Sequence, residues 1–213
     1  MLEKIVTLYR KAEMDLMSSL SGVSTNVLEE TSFYDVGSMQ TRISRIQKEL
    51  KRITKELEIS LELKDMSDYG KKQRTELLQQ REQLLFQMIF LASNSFSNLE
   101  DCVQMAAGHK FAFMQCVTAL QEYQRGQKKQ AFSLLEDYYR KYGSVEDHYL
   151  INKVFGLLLA EQGKYKKASM FLNYALQFIP DDTECLQVFA TCYRQLREID
   201  KESIIQEVLD VLG

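Results

Sequence analysis

The sequence predicts an all-α protein, and three observations support this class. Apolar residues recur every three or four positions over most of the chain, which is the spacing of one helix face. Only nine of the 213 residues are glycine and one is proline, so few positions interrupt helices. Residues near the C-terminus also repeat at intervals of 37 and 34, a period typical of stacked helix pairs. We therefore expect a helical hairpin or bundle over residues 1–108 and a repeat domain over residues 109–213.

Composition argues against several classes of protein. The net charge is −3, and Lys and Arg alternate with Asp and Glu, so no nucleic-acid surface is predicted. The longest apolar run, LLFQMIFLA (84–92), is interrupted by Gln87 and is too short to span a bilayer, so we expect no membrane insertion. The four cysteines form no C-x-x-C pair, and neither histidine lies at metal-ligand spacing from a cysteine. We expect buried free thiols, no metal, no cofactor and a cytoplasmic protein.

Two long helices are predicted in the N-terminal region, after a shorter helix over residues 2–19. The first begins at Met39 and the second runs from about Lys71 to Leu91. The turn between them (65–72) is expected to hold Gly70 in left-handed geometry. A short connection makes the two helices antiparallel neighbours.

The first long helix carries an apolar seam with alternating steps of three and four residues, formed by Ile43, Ile46, Leu50, Ile53 and Leu57. This spacing is typical of a coiled coil or of a long helical hairpin. The seam can pack against the second helix or against another copy of the chain, so a homodimer through the N-terminal helices is one expectation.

Matched positions define the C-terminal repeat. Ala119, Gly126 and Ala131 recur after 37 residues as Gly156, Gly163 and Ala168, and Phe155, Gly156 and Leu159 recur after 34 residues as Phe189, Ala190 and Tyr193. We therefore expect three units, at about 112–143, 149–182 and 183–213.

The middle unit resembles the tetratricopeptide repeat (TPR) family, in which helices A and B recur about every 34 residues. Gly156 occupies the position where that family needs a small residue for close approach of the two helices. Pro180 occupies the family's terminator position, because proline cannot continue a helix. The other matching turn and packing positions are Gly163, Tyr165, Ala168, Ala175 and Leu176.

The outer units match the TPR pattern less completely. Polar residues stand at packing positions of the first unit, namely Gln115, Thr118 and Glu122, and YGS (142–144) replaces its proline. In the third unit Glu202 replaces the small residue of helix B, so that helix is expected to cap the array.

The resemblance implies a concave groove lined by helix A of each unit, which would bind a peptide or a helix of a protein partner. The family's groove positions fall here on Phe113, Cys116, Leu120, Tyr123, Leu150, Lys153, Leu157, Ala160, Glu184, Gln187, Thr191 and Arg194. A clamp for a C-terminal carboxylate is not expected, because Cys116, Leu120 and Leu157 stand where such a clamp needs polar residues. An alternative places Phe113, Cys116 and Leu120 in the core, packed against residues 98–108.

No catalytic constellation is apparent, so we expect no enzyme. Ser144 is expected to cap helix A of the second unit, and Asp181 and Asp182 suit the start of the next helix. The leading hypothesis is a TPR scaffold or adaptor.

Two further functional hypotheses stay open. EYQRGQKKQAFSLLEDYY and EQGKYKKASMFLNYAL resemble the tandem repeats of type III secretion chaperones, which shield apolar segments of secreted subunits. The other is a purely structural oligomer, built through the apolar seam of the first long helix.

Overall fold

The computed structural model describes residues 36–62 and 68–212, and the side chains of 40–60 and 69–212. Over these ranges the chain forms nine α-helices and one short 3₁₀ helix, with no strand, so the all-α prediction is confirmed there. The predicted helix over residues 2–19 lies outside the described residues.

The described residues from 36 to 127 belong to one compact unit. Its elements are α1 (Val36–Glu62), α2 (Asp68–Ala92), the 3₁₀ helix (Phe96–Asn98), α3 (Leu99–Met105) and α4 (Met114–Gln124). Contacts join α1 to α2, α2 to α3 and α3 to α4. The prediction of a left-handed Gly70 is wrong, because this residue lies in the first turn of α2.

The core of this unit draws on all four helices. Fully or almost fully buried apolar residues are Ile53, Leu57, Met88, Ile89, Leu99, Cys102, Cys116, Val117 and Leu120. Burying side chains of this size is the main stabilising contribution to a unit of this kind.

Residues 128–212 belong to the second compact unit. Its helices are α5 (Lys128–Tyr142), α6 (Tyr149–Glu161), α7 (Tyr165–Leu176), α8 (Thr183–Gln195) and α9 (Ile199–Leu212). Each helix contacts the next, and α6 also contacts α8. Helices α6 and α8 begin at the predicted starts of the second and third repeat units, and Pro180 lies in the connection between α7 and α8 as expected. The boundary between the compact units, after Gln127, falls inside the first predicted repeat.

One turn geometry occurs three times. The second residue after α4, α6 and α8 has positive φ: Gly126 at +79°, Gly163 at +73° and Arg197 at +60°. The next amide donates to the carbonyl five residues earlier each time, in the pairs Gln127–Glu122 (2.8 Å), Lys164–Leu159 (2.9 Å) and Glu198–Tyr193 (2.9 Å). This bond closes a Schellman motif, which satisfies carbonyls left open at a helix end. Arg197 adopts without glycine the geometry that glycine adopts in the other two turns.

Gly156 brings α6 and α7 close together. A Cβ atom at this position would lie 2.8 Å from Cγ and from Cδ2 of Leu172, and 3.1 Å from its backbone nitrogen. The same helices share an aromatic cluster with α5, in which Phe155 lies 4.7 Å from Tyr139 and 4.8 Å from Phe171 between ring centroids. The small residue at position 156 therefore permits the packing that surrounds it.

The start of α6 differs from the prediction. His148, not Ser144, is the N-cap, and its Nδ1 accepts a hydrogen bond from the Ile151 amide at 3.2 Å. Asn152, which is also fully buried, donates its side-chain amide to three backbone oxygens of the preceding loop, those of Val145, Glu146 and His148. A buried imidazole can cap a helix because its unprotonated nitrogen accepts, although serine is the commoner N-cap.

Substituting Gly156→Ala should lower the free energy of unfolding by about 1–3 kcal/mol, because the added methyl overlaps Leu172. The destabilisation from this overlap should be larger than the stabilisation of about 1 kcal/mol that alanine gives over glycine inside a helix. Urea unfolding of the purified protein measures the change. The double variant Gly156→Ala/Leu172→Ala should lose less stability than the sum of its single variants, whereas strict additivity would contradict the overlap.

Candidate binding surface

Four groove residues were predicted on α4 or directly before it, and three of them are buried in the core of the first compact unit. Phe113, Cys116 and Leu120 are 3%, 0% and 0% exposed. The Phe113 ring lies 5.2 Å from that of Phe90 and 5.8 Å from that of Phe86, both on α2. Their burial matches the alternative that places them in the core. Helix α4 contacts α3, which lies within residues 98–108, while the ring partners of Phe113 belong to α2.

Tyr123, the fourth predicted groove residue of this helix, is half-buried. Its ring stacks on that of Phe96 with 6.1 Å between centroids. The Tyr123 ring is therefore partly covered by a contact within its own compact unit.

The predicted groove residues of α6 and α8 divide into a buried and an exposed set. Leu150 and Leu157 are almost fully buried, and Ala160 is half-buried. The exposed set follows steps of three, four and three residues along α8, and we call it the α8 face: Glu184, Gln187, Thr191 and Arg194. This spacing places the four side chains on one side of the helix.

Lys153, the remaining predicted groove residue, joins α6 to the start of α8. Its Nζ lies 2.8 Å from Oδ2 of Asp182 and 2.8 Å from Oε2 of Glu184. The Tyr149 hydroxyl also donates to Asp182. The Asp182 carboxylate in turn accepts from the Cys185 amide at 3.1 Å and so caps α8, as its sequence position predicted.

The directions of the pKa shifts in this cluster keep Lys153 and Asp182 charged. Burial alone would lower the pKa of Lys153, but the hydrogen bonds to Asp182 and Glu184 outweigh it and raise the pKa. Burial alone would raise the pKa of Asp182, but hydrogen bonds from Lys153, Tyr149 and the Cys185 amide lower it. Burial and the bond to Asp182 raise the pKa of Tyr149, so its hydroxyl stays a donor. The cluster is a salt bridge that positions two helices.

Sequence reasoning missed this cluster because it treated Lys153 as a groove residue. A signal was nevertheless present. Lys153 and Tyr149 precede Asp182 by 29 and 33 residues, which is close to one repeat period. Residues separated by one period come close together when repeats stack.

A cavity of about 570 Å³ lies in the first compact unit and was not predicted. Its lining combines apolar and polar side chains from α1, α2 and the region of α3: Gln40, Ile43, Ser44, Gln47, Met88, Ala92, Asn98, Asp101, Gln104 and Met105. No local sequence motif marks such a cavity, because its walls come from separate helices.

The predicted apolar seam of α1 is used unevenly. Ile53 and Leu57 are 1% and 6% exposed, so the C-terminal part of the seam is buried inside this unit. Ile43, Ile46 and Leu50 are half-buried. The N-terminal part of the seam thus keeps some accessible apolar surface.

The four cysteines are free and buried, as expected. Burial raises the pKa of Cys192 to about 11, which keeps its thiol protonated near neutral pH.

Comparisons with protein-family models, with curated proteins and with solved structures find no match for this chain. In the parts of the chain that the structure describes, no helix combines the length and the apolar character needed to cross a membrane.

Substituting Asp182→Asn should lower the free energy of unfolding at neutral pH by about 1.5–3 kcal/mol, because Lys153 loses its buried carboxylate partner and keeps only the exposed Glu184, while an N-cap side chain remains. The Asp182 pKa is depressed in the folded protein, so its contribution is present above the ordinary value of 3.8 and is lost as the pH falls through the depressed value.

Urea unfolding between pH 2 and pH 7 measures this effect. The difference between wild type and variant should shrink steadily below pH 3.8. The neighbouring exposed carboxylate provides a matched control, and Asp181→Asn should change stability by less than about 0.5 kcal/mol. A wild-type–variant difference independent of pH would contradict the role of the charge.

Proposed function

We propose that residues 112–212 form a TPR-like array whose function is to bind a protein partner without catalysing a reaction. One observation carries this proposal, namely the identical Schellman turn at Gly126, Gly163 and Arg197. The shared hydrogen-bond pattern supports a repeat independently of side-chain similarity, because the third turn lacks the glycine of the other two. The close approach at Gly156 and the contacts of each helix with the next from α5 to α9 add support.

The binding surface that we propose is the α8 face beside α6. Its polar side chains can hydrogen-bond an extended peptide or the polar side of a helix. Lys153 holds Glu184 and the start of α8, so one end of this surface is positioned before a partner arrives. A preorganised surface binds more tightly because less ordering is needed on association.

The exposed chemistry favours a scaffold or adaptor over a secretion chaperone. A chaperone that shields an apolar segment needs accessible apolar side chains. In the second compact unit the apolar groove candidates Leu150 and Leu157 are almost fully buried, while Gln187 and Thr191 are exposed. We also propose a cytoplasmic location, since buried free thiols suit a reducing compartment.

A second function, self-association through α1, is favoured by the accessible part of its seam. Ile43, Ile46 and Leu50 lie at coiled-coil spacing and are only half-buried. Sedimentation of wild type and of the Leu50→Lys variant distinguishes a dimer from a monomer. A dimer that becomes a folded monomer in the variant would support this function, and a wild-type monomer at all concentrations would exclude it.

The variant Gln187→Arg/Thr191→Arg should lose the partner that wild type captures from native extract. Two bulky cations on the α8 face block close approach without touching the core, since both residues are exposed. Ser203→Arg/Gln206→Arg on α9 introduces the same charge at exposed positions and serves as the control.

Quantitative mass spectrometry of the captured proteins compares the three baits, and circular dichroism establishes that each is folded. A partner retained by the α9 control and depleted at least about tenfold with the α8 variant supports the proposed surface. Equal capture by both variants would place the partner elsewhere on the protein.

A further inference from the structure

Five exposed lysines lie at the starts of α5 and α7, and we call them the lysine patch: Lys128, Lys129, Lys164, Lys166 and Lys167. They follow two of the Schellman turns, in the segments GQKK and GKYKK. None of these lysines belongs to the α8 face, which lies on a different helix.

Side-chain contacts bring the two groups of lysines together. Lys164 Nζ lies 2.8 Å from Oε1 of Glu136 and 4.6 Å above the ring of Phe132, and both of these partners belong to α5. Lys128 Nζ lies 2.5 Å from Oε1 of Glu161, at the end of α6. These contacts tie the start of α5 to the end of α6, and the start of α7 to α5, so the two groups of lysines lie near one another.

The other three lysines keep their charges unpaired within the part of the chain that the structure describes. No carboxylate there lies in ion-pair distance of Lys129, Lys166 or Lys167. The two carboxylates at the patch, Glu136 and Glu161, are already engaged by other lysines. The patch thus carries a net positive charge on a chain whose net charge is −3.

These lysines oppose the electrostatic preference of their helices. The N-terminus of a helix carries partial positive charge and favours acidic side chains. Helices α8 and α9 follow this preference with Glu184 and Asp200 in their first turns, whereas α5 and α7 carry two lysines each in theirs. Residues that break a local stabilising rule are expected where function requires them.

The surroundings of the patch indicate a protein rather than a nucleic acid. Met170 lies three residues after Lys167 and four after Lys166, on the same side of α7, and is 43% exposed. An exposed methionine offers an adaptable apolar contact to a protein side chain. A nucleic acid instead requires a larger basic surface, and the negative charge of the whole chain opposes its approach.

We propose that the lysine patch docks an acidic segment of a protein partner, with an apolar residue of that segment against Met170. The segment's carboxylates pair with Lys129, Lys166 and Lys167. Lys128 and Lys164, which are held by salt bridges, add to the positive electrostatic potential of the patch. This docking surface is separate from the α8 face, so it does not require the proposed peptide-binding function.

Fluorescence polarisation of the full chain with a labelled peptide tests the proposal. The probe contains six glutamates around one leucine, and a second probe replaces every glutamate with glutamine. The variant Lys129→Glu/Lys166→Glu/Lys167→Glu is compared with Lys48→Glu/Lys51→Glu/Lys55→Glu, which makes the same charge change on exposed positions of α1. Circular dichroism establishes folding, which the patch variant should retain because acids suit these helix starts.

The acidic probe should bind wild type and the α1 variant with affinities that agree within about twofold, and the patch variant should bind at least about tenfold more weakly. The glutamine probe should bind none of them measurably. Equal weakening by both variants would overturn the proposal, because it would show an effect of total charge alone. Failure of the acidic probe to bind wild type would also overturn it.

Three further measurements test two other possible occupants of the patch and its independence from the α8 face. A single-stranded oligonucleotide that binds the patch as tightly as the acidic peptide would overturn the assignment to a protein segment. Concentration-dependent association of the chain that the patch variant abolishes would assign the patch to a second copy instead. The α8 variant Gln187→Arg/Thr191→Arg should still bind the acidic probe, so the two surfaces can fail independently.

Discussion

The three-residue turn with a left-handed second residue is the constraint on which the rest of the repeat region depends. It closes a hydrogen bond back onto the finished helix and directs the chain into the next helix after only three residues. After α6 and after α8, this short connection brings the two joined helices into contact. Gly156 can then meet Leu172, and Phe155 can enter its aromatic cluster, because the turn at Gly163 has placed α7 against α6.

The polar residues of the second compact unit form two groups, one that holds the helices together and one that stays exposed. Lys153 pairs with Asp182, and Asn152 bonds the loop before α6, so these residues fix helix starts and connections and contribute little accessible chemistry. The residues of the α8 face and the lysine patch stay accessible on a rigid framework. Rigid helices that present exposed polar side chains are well suited to recognise a partner, since little order must be gained on binding.

Periodicity and single special residues predicted much of this fold. The helix starts at Tyr149 and Thr183 follow from the repeat, and Pro180 and Gly156 act as their residue types require. The site was less predictable, because exposure depends on neighbours distant in sequence. Phe113 lies at a groove position by pattern yet packs on Phe90 of α2. The capping role of His148, the pairing of Lys153 and the cavity beside α1 likewise depend on contacts between separate helices.

Unfolding free energies of Gly163→Ala and Arg197→Gly test the shared turn most directly. A Cβ at position 163 meets no atom within 4 Å, so alanine there is disfavoured only by its positive φ of 73°. Gly163→Ala should therefore destabilise the protein by about 1 kcal/mol, and Arg197→Gly should stabilise it by about 1 kcal/mol. The two substitutions should therefore change the free energy of unfolding in opposite directions. A loss of stability from both would show that position 197 does not adopt the left-handed geometry of position 163, and the repeat would lose its principal support.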